Sequence, residues 1–306
     1  MGRKVTAQIL VILTVIIWSF FGLVTKLLSD VRMDVVMAIA LCSSCLFNYI
    51  YAYRSERKFP ILKSVKLCFV TLFGYSIYWI LYIECIKSYT LTSIPVILNY
   101  TWPFFTGIFT ILLFKLQKIS WVFVMTMVLG FAGIILLQSQ GQFSNLKFNQ
   151  SYYGLLMGVA CGMSYGFYSA KSSQVHKSDL PSFLFTGSFI SSIVMILYVY
   201  LINDMHNLNI SLYEVLLAFF VGFFFESIGY LFWTRAQTLA VEEKADITKL
   251  VSLANYLPLF SILLLGLIYT EERAIITEGY FLVSILLIVG SSLLPVIIRD
   301  KKITSM

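Results

Sequence analysis

The chain has 306 residues, 59% of them hydrophobic, with a mean hydropathy of +0.87. Charged residues make up only 12%, so neither a single water-soluble core nor a disordered chain fits this composition. What remains is an integral membrane protein. Its net charge of +7 is therefore read against anionic lipid rather than nucleic acid.

Apolar runs of helical length follow one another along the chain: Val5 to Leu28, Val35 to Tyr53, Leu67 to Ile86, Leu91 to Phe114, Ile119 to Leu137, Tyr152 to Ala170, Pro181 to Ile202, Leu212 to Thr234, Ile247 to Tyr269 and Ile275 to Ile298. They lack the period-two alternation of barrel strands. The expected fold class is an all-α integral membrane protein of ten transmembrane helices. Run one is preceded by Arg3 and Lys4 but is long and has no small-x-small cleavage site, so it reads as an uncleaved helix. Gly2 fits a loose myristoylation pattern, which would add nothing to such an anchor. Run two carries Cys42-Ser43-Ser44-Cys45; inside an apolar helix these read as structural thiols. Run three ends with Glu84 three residues before Lys87, a same-face ion-pair spacing. The longest connection is Gln138 to Ser151, and no segment is left over for a soluble domain.

With a cytoplasmic N-terminus, most of the 22 Lys and Arg fall on inner segments, and only Lys26, Arg32, Lys87, Lys147 and Arg273 fall outside. This bias predicts a multi-pass protein of the plasma or inner membrane with both termini cytoplasmic.

The chain also repeats itself. Trp18-Ser19 followed by Lys26 is echoed by Met163-Ser164 followed by Lys171, with the same Ser-to-Lys spacing. Asn99-Tyr100-Thr101-Trp102-Pro103 in run four is echoed by Asn255-Tyr256-Leu257-Pro258 in run nine, and Gly133 by Gly290. The two halves are 1–145 and 151–306. Five helices each is an odd number, so the second half should sit inverted, as in secondary transporters. Pro103 and Pro258 each remove a backbone donor near the middle of a span. In lipid the lost bond must be replaced by a neighbour or a wet cavity, so the paired prolines point to a binding site; a packing kink is the alternative.

Ten helices as five plus five, Trp18-Ser19 in run one, the proline-centred runs four and nine, and the Thr270-Glu271-Glu272-Arg273 turn resemble the drug/metabolite transporter superfamily, EamA type. Tyr78, Tyr82 and the stretch Val96 to Pro103 resemble its aromatic amino acid exporter branch. The resemblance implies a central cavity lined by helices one, three, four, six, eight and nine and opening alternately to each side. The turn Lys115-Leu116-Gln117-Lys118 lacks the family's acid, and Glu242-Glu243-Lys244 lengthens the connection from helix eight to nine.

Candidate substrate-binding residues are Trp18, Tyr78, Tyr82, Asn99, Tyr100, Trp102, Pro103, Glu226, Asn255, Tyr256 and Pro258, with Trp79, Tyr230 and Trp233 as further aromatics on the same runs. Flat rings suit an aromatic substrate or an ammonium group. Asn99 and Asn255 are amides able to hydrogen-bond an amino acid or to join helices. Glu226 lies mid-span in Phe223-Phe224-Phe225-Glu226-Ser227; burying its charge in lipid is costly, so it should face the cavity, pair, or stay protonated. A proton is thus a candidate coupling ion. His176 and His206 both lie in connections, so no metal site is expected, and no phosphate-cradling loop or other cofactor motif is present. The partners expected are a small-molecule substrate and the lipid bilayer.

The function expected is secondary transport of small metabolites by alternating access, as an exporter of amino acids, aromatic or other neutral. Uptake, or export of drugs or nucleotide-like metabolites, is the alternative within transport. A channel lacks its repeated charged ring. An intramembrane lipid enzyme would have to rest on Glu242, Glu243 and Asp246 beside Lys244.

Overall fold

The computed structural model describes residues 2–27, 32–57, 60, 64–89, 93–113, 120–139, 141–142, 151–202, 210–243, 247–269, 273 and 277–298. The Lys115 to Lys118 turn, Thr270 to Glu272, Lys244 and Asp246 lie outside the described residues. Among the described residues the regular structure is entirely helical.

In chain order, α1 (Arg3–Ser19) and α2 (Phe21–Leu27) meet at a turn on Phe20, and α3 is Met33–Glu56. The third rod is α4 (Val65–Thr71), a π-helical turn over Leu72–Ser76, and α5 (Ile77–Lys87). The fourth is α6 (Ser93–Asn99) and α7 (Trp102–Leu112), separated by a turn at Tyr100 and Thr101. Then come α8 (Trp121–Gln138), α9 (Tyr152–Ser172) and α10 (Leu180–Ile202). The eighth rod is α11 (Leu212–Phe223), a second π-turn over Phe224–Gly229, and α12 (Tyr230–Glu242). α13 (Ile247–Leu253) and α14 (Tyr256–Ile268) are separated by Ala254 and Asn255, and α15 is Gly279–Ile297.

The helix starts are written in the sequence. Ser64, Ser120 and Ser151 each accept a backbone N–H of the first turn at an N-cap, and Ser211 and Glu214 complete a capping box. Both runs are interrupted at their prolines, and neither proline sits in a continuous kinked helix, which was the alternative. Each interruption falls just before its proline, so Pro103 and Pro258 sit in the first turn of α7 and α14, where a missing N–H breaks no helical bond. Run eight does not stop at Thr234 but continues as helix to Glu242.

The ten expected spans are visible in part. Among the described residues six helical stretches are long and apolar enough to cross a membrane: Arg3–Val24, Met33–Glu56, Val65–Lys87, Leu180–Ile202, Leu212–Glu242 and Leu250–Ile268. Trp102–Leu112, Trp121–Leu136 and Gly279–Ser291 are apolar but shorter. α9 has the length but carries Gly154, Gly158, Gly162 and Gly166, one per turn.

That glycine ridge explains how the rods close up. A Cβ on each would strike Ser88 and Tyr89, Leu98, Thr101, and Phe105 respectively, at 2.1–2.6 Å, so bare backbone lets α9 lie against α5, α6 and α7. Gly130 and Gly133 do the same for α8 against α15. The interior holds Trp79, Trp233, Tyr82, Tyr165, Tyr168 and many Ser and Thr, while Leu201, Leu212, Leu216 and Leu286 are exposed on the outer faces. Aliphatic outside and small or polar inside is the pattern of a helix bundle in lipid.

Polar links join the helix ends. Arg3 at the start of α1 pairs with Glu243 after α12 at 3.3 Å, and Ser182 of α10 donates to Glu56 at the end of α3. At the opposite end Glu84 meets Lys87 (3.2 Å), as its spacing predicts, and accepts from Tyr153 (3.1 Å) and Tyr198. This cluster is partly solvated, so Glu84→Gln should lower stability by only about 1 kcal/mol, read as a small fall in melting temperature of the purified protein.

Candidate functional site

The two π-turns organise the centre of the bundle. A π-turn inserts a residue into the helical ladder, displaces the register of the side chains that follow, and leaves carbonyls without their usual partners. In the second π-turn, Phe225 O accepts from Trp18 Nε1 (3.1 Å), Glu226 O from Ser44 Oγ (3.1 Å), and Gly222 O from Ser227 Oγ (3.0 Å). In the first, Phe73 O and Gly74 O accept from Ser164 Oγ, and Thr71 O accepts from Ser76 Oγ (3.3 Å). Every donor named is a side chain, three of them (Trp18, Ser44 and Ser164) from other runs and two (Ser227 and Ser76) from the turns themselves, so neighbouring helices help to hold both irregularities in place.

The side chains presented there meet. The Tyr75 hydroxyl donates to Glu226 Oε2 at 2.6 Å, joining one π-turn to the other. The Trp79 indole N–H approaches the same carboxyl without reaching hydrogen-bond geometry. Glu226 is 2% exposed, and no Lys or Arg pairs with it among the described residues. Removing the hydroxyl with Tyr75→Phe leaves a buried carboxyl short of a donor. The expected cost is about 1–3 kcal/mol, visible as a lower melting temperature.

Beside Glu226 lies a partly open cavity of about 410 Å³, a volume that includes the space at its mouth. Trp18 and Phe21 line it from run one, Tyr78 and Trp79 from α5, and Asn99, Tyr100 and Trp102 from the break between α6 and α7. Tyr165 comes from α9, Phe225, Glu226 and Tyr230 from the eighth rod, and Leu257 from α14. The six runs are those that the family resemblance implies. The rings stand edge to face: Trp18 to Trp102 at 6.0 Å, Trp18 to Tyr230 at 5.1 Å, Trp102 to Tyr165 at 5.0 Å and Tyr165 to Tyr230 at 5.6 Å between centroids. Among the described residues the lining contains one acid, Glu226, and no Lys, Arg or His.

Of the residues expected from sequence, the structure brings Trp18, Tyr78, Asn99, Tyr100, Trp102 and Glu226 to this cavity, with Trp79 and Tyr230. The others lie outside its lining. Tyr82 stacks on Tyr78 one turn further along α5. Pro103 and Pro258 are buried in helix starts, and Tyr256 packs on Phe260. Asn255 donates to Ser291 Oγ at 3.3 Å and abuts Gly130, so it joins helices as its alternative reading had it. Trp233 donates to Ser169 Oγ (2.9 Å) in a fully buried layer with Gln237 and Ser172, packed against Trp102. Phe21, Tyr165, Phe225 and Leu257, and the Tyr75 that holds Glu226, were not singled out from sequence. They are ordinary aromatics and aliphatics in runs full of them, and only the pairing of the two π-turns distinguishes Tyr75.

Residues 5–139 match the EamA-like transporter family. That segment runs from α1 to the end of α8 and is similar to a membrane transporter domain. No curated protein matches the chain. A solved structure titled only as the crystal structure of a protein is similar at a TM-score of 0.78, over 94% of this chain and 95% of its own, at 18% identity, which is a likeness of fold.

Proposed function

We propose that the protein is a secondary transporter that moves small metabolites by alternating access and exports amino acids, aromatic or other neutral. The observation that carries this reading is the aromatic cavity at the centre of the bundle, built from six runs of an EamA-like fold around one buried carboxyl.

The reading includes ten spans in two inverted repeats, 1–145 and 151–306, in the plasma or inner membrane with cytoplasmic termini. Several contacts occur in matching pairs that such a repeat would generate. α1 packs on α12 and α14, as α9 packs on α5 and α7; α3 packs on α11 and α10 packs on the first π-turn; α8 packs along α15. The π-turns correspond as well. Ser76 and Ser227 each bond the carbonyl five residues back, and each meets a serine of another rod, Ser191 at 2.8 Å and Ser44 at 3.1 Å. The family match ends at residue 139, near the end of the first repeat. Lys and Arg enrichment on alternate connections supports the orientation. Glu226 is the group on which proton coupling would rest.

A ligand that binds the folded state raises its melting temperature. Thermal-shift screening of the purified protein against amino acids should therefore find aromatic or other neutral members that stabilise it. A panel in which only nucleotides or polyanions stabilise the protein would overturn the amino acid assignment.

A further inference from the structure

Three polar groups at the cavity await a partner. Glu226 accepts from Tyr75 at one oxygen only, which leaves acceptor capacity on a carboxyl that is 2% exposed. The Tyr165 hydroxyl is 2% exposed, lines the cavity, and bonds nothing among the described residues. The Trp79 N–H makes no hydrogen bond of standard geometry, although it already faces the Glu226 carboxyl. Buried polar atoms are normally satisfied, so orphans converging on one cavity mark where a ligand completes the set.

The chemistry of that ligand follows from the walls. Trp18, Trp102, Tyr165 and Tyr230 pack edge to face as a cluster that lines the cavity, and the π face of such a ring attracts a cation. A buried carboxylate is costly unless a cation pairs with it, and among the described residues no protein cation does so. A carboxylate on the substrate, by contrast, would find no Lys, Arg or His in the lining.

We infer that the cavity is an ammonium-recognition site in which Glu226 and the Tyr165 hydroxyl hold the amino group of the substrate beside the ring cluster, so that hydrophobic primary amines without a carboxylate are ligands alongside amino acids. The inference deepens the transport reading and rests on it, but its test is a binding test. The ammonium donates to the free Glu226 oxygen and to Tyr165 Oη, while the apolar body of the ligand lies against Phe21, Phe225 and Leu257.

The cavity supplies its own reporter, since Trp18, Trp79 and Trp102, three of the five tryptophans, line it. Tryptophan fluorescence of the purified protein is titrated with 2-phenylethylamine, phenylalanine and 3-phenylpropanoate, which share a ring and differ in their charged ends. Phenylethylamine should bind as tightly as phenylalanine or tighter, and phenylpropanoate about tenfold more weakly or worse. Glu226→Gln should weaken both ammonium ligands by about tenfold and leave phenylpropanoate nearly unchanged. Tyr165→Phe, which disturbs no hydrogen bond of the free protein, should weaken the same two by a smaller factor. Phenylpropanoate binding as well as phenylethylamine, or amine binding indifferent to both substitutions, would overturn the inference. Transport is read separately in proteoliposomes. A carrier that moves other solutes but binds no amine refutes the ammonium site alone. Amine binding without movement of any solute refutes the transport reading alone.

Discussion

Glu226→Gln should abolish most substrate exchange while leaving the protein folded. The amide keeps the size and shape of the side chain and can still accept from Tyr75 Oη, which lies 2.6 Å from the native carboxyl. It also removes a charge from a position that is 2% exposed, so the melting temperature should hold or rise slightly. What is lost is the cavity's single acid. A charge-assisted hydrogen bond is worth about 1.5–3 kcal/mol, so exchange at limiting substrate should fall roughly 10- to 100-fold. Trp102→Ala should also impair exchange, but by a different route. It removes a ring that packs against Trp18, Tyr165 and Trp233, and so lowers the melting temperature as well. Unimpaired exchange in both variants would remove the cavity from the substrate path.

The largest effect on stability should come from a residue with no side chain. A Cβ on Gly222 would lie 1.8 Å from Ser43 Oγ and 2.1 Å from the Ala40 carbonyl oxygen. The serine could rotate, but the carbonyl is part of the α3 backbone and cannot move without separating α3 from α11. Ser43 and Ser44 also bond the eighth rod, through Phe219 O (3.4 Å) and Glu226 O (3.1 Å), so such a separation would disturb the second π-turn and the carboxyl it presents. Gly222→Ala should therefore cost about 3 kcal/mol or more, at the upper end of overpacking, and lower the melting temperature accordingly. Gly187→Ala is the contrast. Its Cβ would have no neighbour nearer than 3.6 Å, and alanine favours helix over glycine by about 1 kcal/mol, so stability should be unchanged or improved. Equal melting temperatures for the two variants would contradict the packing described between α3 and α11.

Much of this was legible in the sequence, because the bilayer makes composition and charge unusually informative. The helical class, the serine-capped starts, the Glu84–Lys87 pair and a place for Glu226 at an interior cavity follow from residue type and spacing. The cavity lining from runs one, three, four, six, eight and nine was carried by resemblance, since aromatic residues are 16% of the chain and periodicity cannot separate a cage from a packed core. Other features were hidden for specific reasons. Tyr75 meets Glu226 through two π-turns, and a register shift of that kind leaves no mark in a helical pattern read at 3.6 residues per turn. Asn255 mirrors Asn99 in sequence, yet it turns to Ser291 because Gly130 leaves room for it between α8 and α15. The prolines marked where runs four and nine are interrupted, while their place in the first turn of the following helix was not evident from the sequence.

Counterflow in proteoliposomes tests the central claim most directly. Vesicles containing the purified protein are loaded with an unlabelled neutral amino acid, then exposed to a trace of the labelled compound outside. An alternating-access carrier with its site in the central cavity predicts transient accumulation of label above its external concentration, lost in Glu226→Gln. No accumulation across the neutral and aromatic amino acids and a broad metabolite panel, with the protein folded and inserted, would contradict it.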